Sequence, residues 1–318
     1  FDDQLNFTYI VLIPKCQCPS NITQFRPISL CNVVYRLASK VIANRLNKVL
    51  SIILSPFQYA FIPGRLITDN ILIAYGVNHS FKSKSVDKEG SMSIKLDMSK
   101  AFDRVEWPFL KGMMLALGFH PLFVDLISSC FSTVSYSFQL NGVQFGYLRP
   151  QRGIRQGDPI SPYLFLICAE AFSCLLQEAE ACGKLSGVRI GQSGPKLSHL
   201  LFADDTLLFG KATLQEARHI QDILQLYKEA SGQEINLEKS AVVFSSNTDF
   251  STRQDITQFL NIKEVVAHEK YLGLPTIIGR SKCEVFSSIK DRIWQRIQGW
   301  NEQRLSKGGK EILLKVVV

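Results

Sequence analysis

The sequence predicts an α+β chain organised around one apolar hairpin, and three observations carry that prediction. Leu200-Leu201-Phe202 and Thr206-Leu207-Leu208-Phe209 flank the adjacent Asp204 and Asp205, so two buried strands meet at an acidic turn. Met92 to Met98 alternates strictly, with Met92, Ile94, Leu96 and Met98 on one face and Lys95 and Asp97 on the other. Helical periodicity dominates two longer stretches, around Val34 to Leu50 and Ile160 to Cys182.

The chain has 318 residues, 46% of them hydrophobic, enough for a large core divided among two or three subdomains. Its formal charge is +8, which suits a polyanionic partner. Eight scattered cysteines show no zinc spacing and read as reduced thiols of an intracellular protein. No signal peptide opens the chain and no apolar run has the length of a membrane span, so no membrane partner is expected. The sequons at Asn6, Asn21 and Asn78 read as chance. A first residue of Phe1 and an apolar end at Ile312 to Val318 suggest a piece of something longer.

In chain order, residues 8–14 read as a strand, Lys15 to Gln24 as a polar loop, and Val34 to Leu50 as a helix. That helix sets Val34, Leu37, Ala38, Val41, Ile42, Leu46, Val49 and Leu50 on an apolar face. The other face carries Arg36, Lys40, Arg45 and Lys48 and reads either as solvated or as a nucleic-acid contact. A further helix spans Ile71 to Phe81, capped by Thr68, Asp69 or Asn70, and Lys82 to Ser91 is a surface loop. After the alternating strand a helix is expected from Ser99 or soon after, and another from Pro121 to Phe131. Asn141-Gly142 signals a hairpin between Ser135–Leu140 and Gln144–Leu148. Arg152 to Pro159 is irregular, and Pro159, Ser161 and Pro162 start the long helix. Leu214 to Ala230 is helical, Gly232 breaks it, and Ala241 to Phe244 is a strand. Lys270 to Ile278 forms a hairpin or edge strand. Val285, Ile289, Ile293, Ile297 and Trp300 line a last helix, with Trp294 and Trp300 as core anchors.

Asp204 and Asp205 alone read either as a plain Asp-Asp turn or as ligands of a hard divalent cation that relieves their repulsion. Asp97 favours the second reading. If the two strands are neighbours, the three carboxylates converge, and such a set can hold two metals about 3.5–4 Å apart for in-line phosphoryl transfer.

Ile94-Lys95-Leu96-Asp97-Met98-Ser99-Lys100-Ala101-Phe102-Asp103, Gly153-Ile154-Arg155-Gln156-Gly157-Asp158-Pro159 and Phe202-Ala203-Asp204-Asp205 resemble, in order and spacing, the central palm motifs of reverse transcriptases. Phe25-Arg26-Pro27-Ile28-Ser29-Leu30 and Ala60-Phe61-Ile62-Pro63-Gly64-Arg65 resemble finger motifs of non-LTR (LINE-type) retrotransposon enzymes, and Tyr271-Leu272-Gly273-Leu274-Pro275 resembles their primer grip. The wording of these blocks, through Leu305 to Lys310, is most similar to plant elements.

The resemblance implies a right-hand polymerase fold: fingers at 1–91, palm with remaining finger elements and primer grip at 92–279, and the start of a truncated thumb at 280–318. It implies an RNA-directed DNA polymerase that uses two Mg2+ ions (or Mn2+), an RNA template, a DNA primer and dNTPs, and a nuclear location. Asp97, Asp204 and Asp205 would be metal ligands, and Lys239 would protonate the pyrophosphate; an exposed lysine after a turn is the alternative for Lys239. Phe102 would be the steric gate against the ribose 2′-hydroxyl, with a core phenylalanine as the alternative. Arg26, assisted by Lys15, would bind the triphosphate, and Gln156 and Gly157 would lie against nucleotide and template. Arg155 and Arg65 would contact the template or structure the loops. A catalytically inactive remnant that only binds nucleic acid is the competing function.

Overall fold

The computed structural model describes residues 5–82, 90–189, 194–268, 270–276, 282–301, 306, 308 and 311. In chain order the strands and helices are β1 (Phe7–Pro14), β2 (Phe25–Cys31), α1 (Val33–Ile53), α2 (Ile67–Lys82), β3 (Ser91–Leu96), α3 (Trp107–Ala116), α4 (Pro121–Ser132), β4 (Ser135–Leu140), β5 (Val143–Leu148), α5 (Ser161–Ala181), β6 (Val188–Arg189), β7 (Lys196–Leu197), β8 (His199–Phe202), β9 (Asp205–Lys211), α6 (Leu214–Ser231), β10 (Ala241–Phe244), α7 (Phe250–Leu260), β11 (Lys263–Glu264), β12 (Lys270–Tyr271), β13 (Leu274–Pro275) and α8 (Lys282–Asn301). They fall into two compact units, Phe1–His268 and Glu269–Val318.

Two sheets organise the first unit. One has the order β2-β1-β4-β5, with β1 antiparallel to β2 and parallel to β4. The other has the order β11-β10-β3-β9-β8. Its centre is the alternating strand β3, antiparallel to both β10 and β9, so Met92, Ile94 and Leu96 are buried. The apolar hairpin β8–β9 closes as the alternation of flanking residues requires, with Phe202 paired to Asp205. Asn141 and Gly142 both take left-handed backbone angles and turn β4 into β5.

The buried side chains form two apolar clusters. One joins α1, α3, α4 and the first half of α5; the other lies among β3, β9, β10, α6, α7 and the second half of α5. The long helix α5 therefore runs through both, which is why twelve of its residues are buried.

Several expectations change here. The helix expected from Ser99 begins at Trp107, with Pro108 in its first turn. Residues 99–104 are turns, with Lys100 in the left-handed region, because this stretch closes one local bond, Asp103 N–H to the Lys100 carbonyl, and otherwise bonds other segments. The core face of α1 is Tyr35, Ser39, Ile42, Ala43, Leu46 and Leu50, whereas Val34, Leu37, Val41 and Val49 are exposed. α2 starts at Ile67, and Asn70, offered as a cap, is buried and donates to the Leu201 carbonyl. α7, which carries one buried residue, Ile256, was not foreseen. Most of the loop expected at Lys82 to Ser91 lies outside the described residues.

The second unit consists of the β12–β13 hairpin, turned at Leu272-Gly273, and α8. Trp294 is 59% exposed and is no core anchor, while the side chain of Trp300 lies outside the described residues.

Candidate active site

Sheet register brings the three carboxylates to one edge. Leu96, the last residue of β3, faces Thr206 on β9, so Asp97 leaves β3 beside Asp205, the first residue of β9. Ala203 and Asp204 form the two-residue turn before it, with Ala203 at φ +54°. An outside support fixes that turn: the Ala203 N–H donates to Gln58 Oε1 at 3.1 Å. Gln58 also bridges to Leu201 of β8, on the edge of that strand that faces away from β9.

Electrostatics couple the three groups. Burial raises the Asp204 carboxyl above its usual range; its own backbone N–H opposes this, Asp97 adds to it and Arg26 offsets it. Asp205 is also raised, first by burial, with Lys95 opposing and Asp204 and Asp97 adding repulsion. Such a set is poised to accept positive charge.

Lys239 is brought to this edge by backbone bonds on either side of it. The Asp97 N–H donates to Ser240 Oγ at 3.2 Å, and the Asn236 N–H donates to the Asp97 carbonyl at 2.8 Å. Lys239 Nζ then sits 3.9 Å from Asp97 Oδ2.

A second group of residues is assembled around the irregular loop at 153–157. Ile154 N–H donates to the Phe102 carbonyl and Gly153 N–H to the Val105 carbonyl, both at 2.8 Å. Gly153 has φ +86°, and a Cβ there would lie 2.7 Å from the Asp103 carbonyl oxygen, so glycine alone permits this approach. On the other side the Ser29 N–H donates to the Gln156 carbonyl at 2.8 Å, tying the loop to β2. Gly157, at φ +106°, would place a Cβ 3.2 Å from the Ser29 carbonyl oxygen. Gln156 Nε2 donates to Asp103 Oδ1 at 3.4 Å. Asp103 is raised by burial, against the pull of Gln156, Lys100 and Lys15. Phe102 stacks on Phe165 of α5 with ring centroids 5.1 Å apart, yet stays partly exposed.

Arg26 and Lys15 come from the β1–β2 hairpin. Arg26 is an exposed residue of β2 whose charge reaches Asp204. Lys15 donates from Nζ to the Thr23 carbonyl at 3.0 Å, and its charge reaches Asp103.

Of the two readings open for Arg155 and Arg65, template contact or structuring of the loops, the structure takes the second. Arg155 is only 3% exposed. Its guanidinium pairs with Asp158 at 2.8 Å, donates to Asn6 Oδ1, Thr8 Oγ1 and the Cys130 carbonyl, and lies 4.0 Å from the Tyr35 ring centre. Both terminal nitrogens are engaged inside the protein, so Arg155 structures the loop and does not face a nucleotide. Arg65 likewise donates to the Leu54, Ser55 and Gln58 carbonyls and holds the loop after α1.

Sequence reasoning missed Gln58, Ser240 and Asp103. Asp103 is the last residue of a motif already singled out, and its signal was a carboxylate next to the aromatic Phe102. Gln58 and Ser240 carry no pattern of their own.

The oxygen-only donors Asp97, Asp204 and Asp205 fit a hard divalent cation, and the raised Asp204 and Asp205 carboxyls would be relieved by one. Among the described residues, no three His, Cys, Asp or Glu side chains already enclose a metal-sized point.

Comparison with known proteins identifies the family. A profile described as reverse transcriptase (RNA-dependent DNA polymerase) matches residues 13–275. The Transposon TX1 uncharacterized 149 kDa protein of Xenopus laevis is 30% identical over 230 residues, covering 72% of this chain and 17% of that protein. The Pol polyprotein from type-2 retrotransposable element R2DM of Drosophila melanogaster is 31% identical over 206 residues, 64% of this chain and 18% of that one. An uncharacterized mitochondrial protein of Arabidopsis thaliana is 51% identical over 69 residues, 22% of this chain and 57% of that one. The chain thus spans about a fifth of the length of the two transposon proteins. Among solved structures, telomerase from Candida tropicalis in complex with a TWJ fragment of telomeric RNA superposes with a TM-score of 0.54 at 14% identity, covering 91% of this chain and 48% of that one. The fold is that of right-hand polymerases, and the chain belongs to the reverse transcriptase (RNA-dependent DNA polymerase) family.

Proposed function

We propose that this chain is the polymerising domain of a LINE-type retroelement and extends a DNA primer on an RNA template with dNTPs. The observation that supports it most is the meeting of Asp97, Asp204 and Asp205 at one sheet edge, with Lys239 beside Asp97. Asp97, Asp204 and Asp205 are the residues that would hold two Mg2+ ions, with Mn2+ as a substitute. When bound, such ions activate a 3′-hydroxyl and neutralise the triphosphate.

The chain's own groups supply the rest. Arg26, with Lys15, pairs with the triphosphate, and its charge already reaches Asp204. Lys239 gives a proton to the departing pyrophosphate. Phe102, held rigid by its stack on Phe165, blocks a ribose 2′-hydroxyl. Gln156 and Gly157 form the floor under the incoming nucleotide, held by β2 and Asp103.

In this reading residues 1–91 serve as fingers, 92–279 as palm with remaining finger elements and primer grip, and 280–318 as the start of a thumb. The Arabidopsis match lends support to a likeness to plant elements, and a nuclear site belongs to the LINE-type reading itself.

The test is extension of a labelled DNA primer on an RNA template in Mg2+, with dNTPs against rNTPs. Extension with dNTPs that stops on chelation supports the reading. Equal use of rNTPs would contradict the assignment of Phe102, and failure of a folded, primer-template-bound protein to add any nucleotide would contradict the reading as a whole.

A further inference from the structure

Charge is distributed unevenly in this chain. Positions 4–68 contain seven lysines and arginines and no aspartate or glutamate. Lys15 and Arg26 belong to the candidate site and Arg65 is spent on backbone carbonyls. The remaining four, Arg36, Lys40, Arg45 and Lys48, all lie exposed on α1. None of the four pairs with a carboxylate among the described residues.

The outward face of α1 is not a plain solvated face either. Val33 is 81% exposed and Leu37 69%, with Val41 next in line one turn further on. At 3.6 residues per turn, Arg36 and Lys40 fall on one flank of this aliphatic strip and Arg45 on the other; Lys48 continues it two turns beyond Val41. From Arg36 to Lys48 the helix rises about 18 Å. Cations on both flanks of this strip can meet the phosphates that border the wide, shallow minor groove of A-form RNA, and the aliphatic side chains between them carry no donor or acceptor that would read a base.

We propose that the outward face of α1 is a second nucleic-acid surface, which docks A-form RNA through its backbone and ribose edges without reading sequence. α1 follows β2, the strand that carries Arg26, after one residue. The inference rests on the reading that the chain works on RNA; the acid-free stretch and the exposed strip decide where on the chain the duplex would lie. The occupant is a self-paired RNA stem, distinct from the primer-template hybrid of the candidate site.

The experiment measures binding of a blunt RNA stem-loop, without primer, at 50–200 mM salt. Wild type is compared with Arg36→Gln/Lys40→Gln/Arg45→Gln/Lys48→Gln and with the milder Lys40→Gln/Lys48→Gln. Four lost phosphate contacts lower the slope of log affinity against log salt by about 3, so the variant's affinity changes on the order of 100-fold less than wild type across that range. The milder pair gives about half the change in slope. Circular dichroism and primer extension at saturating primer-template and low salt are unchanged in both variants. An unchanged slope in both overturns the proposal, as does wild-type binding to phosphatidylserine vesicles in place of the stem-loop. A protein that binds the stem-loop through α1 yet extends no primer would refute the polymerase reading and leave this surface standing.

Discussion

The buried pair Arg155–Asp158 makes a quantitative prediction about stability. Asp158 accepts from Tyr35 Oη at 2.6 Å, from Ser39 Oγ, and from the Ile160 N–H at 3.3 Å, while Arg155 supplies the only cation that touches it among the described residues. Arg155→Ala therefore strands a carboxylate inside the protein and leaves Asn6 Oδ1 and the Cys130 carbonyl short of a donor. Removing one member of a buried pair costs about 3–5 kcal/mol. The Cys130 carbonyl keeps its bond from Asn6 Nδ2, so only the orphaned Asn6 Oδ1 would add about 1–3 kcal/mol in isolation, and since groups in one network do not add, about 4 kcal/mol is expected. For a unit of this size each kcal/mol lowers Tm by about 2–4 °C, which gives a fall on the order of 10 °C. The double variant Arg155→Met/Asp158→Leu recovers most of that loss, since it removes the stranded charge as well as its partner. Thermal unfolding of both variants is the assay. A fall of under about 2 °C in Arg155→Ala, accompanied by weakened template affinity, would refute the interior role and return Arg155 to the nucleic-acid surface.

Further predictions concern other sites. Gly153→Ala combines a left-handed backbone with a Cβ 2.7 Å from a carbonyl oxygen, and should cost about 2–3 kcal/mol in urea unfolding. Gly118→Ala, at the same φ with open space around it, should cost about 1 kcal/mol. His199 is buried between Ser173 and Ser198, and burial pushes its imidazole down to about 3. The unfolded chain takes up a proton near pH 6.5 that the fold refuses, so stability falls as pH drops below that value, by about 2 kcal/mol at pH 5 from this site. Comparing urea midpoints at pH 7.5 and 5 for wild type and His199→Gln checks this, and an equal pH response in both would contradict it. Phe102→Val should lower discrimination against rNTPs by about tenfold or more, equivalent to about 1.4 kcal/mol of selectivity, read from kcat/KM for matched dNTP and rNTP pairs.

The parts of this molecule that could be read from sequence are those whose pattern and partner coincide. β3 alternates because one sheet face is buried, and the β8–β9 hairpin is legible because apolar runs stop abruptly at Asp204-Asp205. Asn141-Gly142 names its own turn. α1 shows the opposite case. Its apolar residues cover more than one face, and the face chosen for burial includes Tyr35 and Ser39, drawn inward by Asp158, a residue more than a hundred positions away. Residues 99–104 look helical locally but spend bonds on Ile154, Gln233 and Glu234. α7 buries little beyond Ile256 and so leaves no stripe to read. At the site, Asp97, Asp204 and Asp205 follow from strand ends that motif order already implied. Arg155 stayed open between two roles because a guanidinium in a nucleotide-binding motif looks the same in sequence whether it faces a phosphate or a buried aspartate.

The most direct test of the central claim is single-turnover addition of one dNTP to a DNA primer on an RNA template, measured alongside primer-template affinity. Wild type, Asp97→Asn and Asp204→Asn are the proteins to compare. The account predicts incorporation by wild type, loss of at least about a thousandfold in each variant, and affinities that stay within a few-fold of one another. Wild-type protein that binds primer-template with salt-dependent affinity but adds no nucleotide, or variants that add it at the wild-type rate, would contradict the claim that these carboxylates form a working polymerase site.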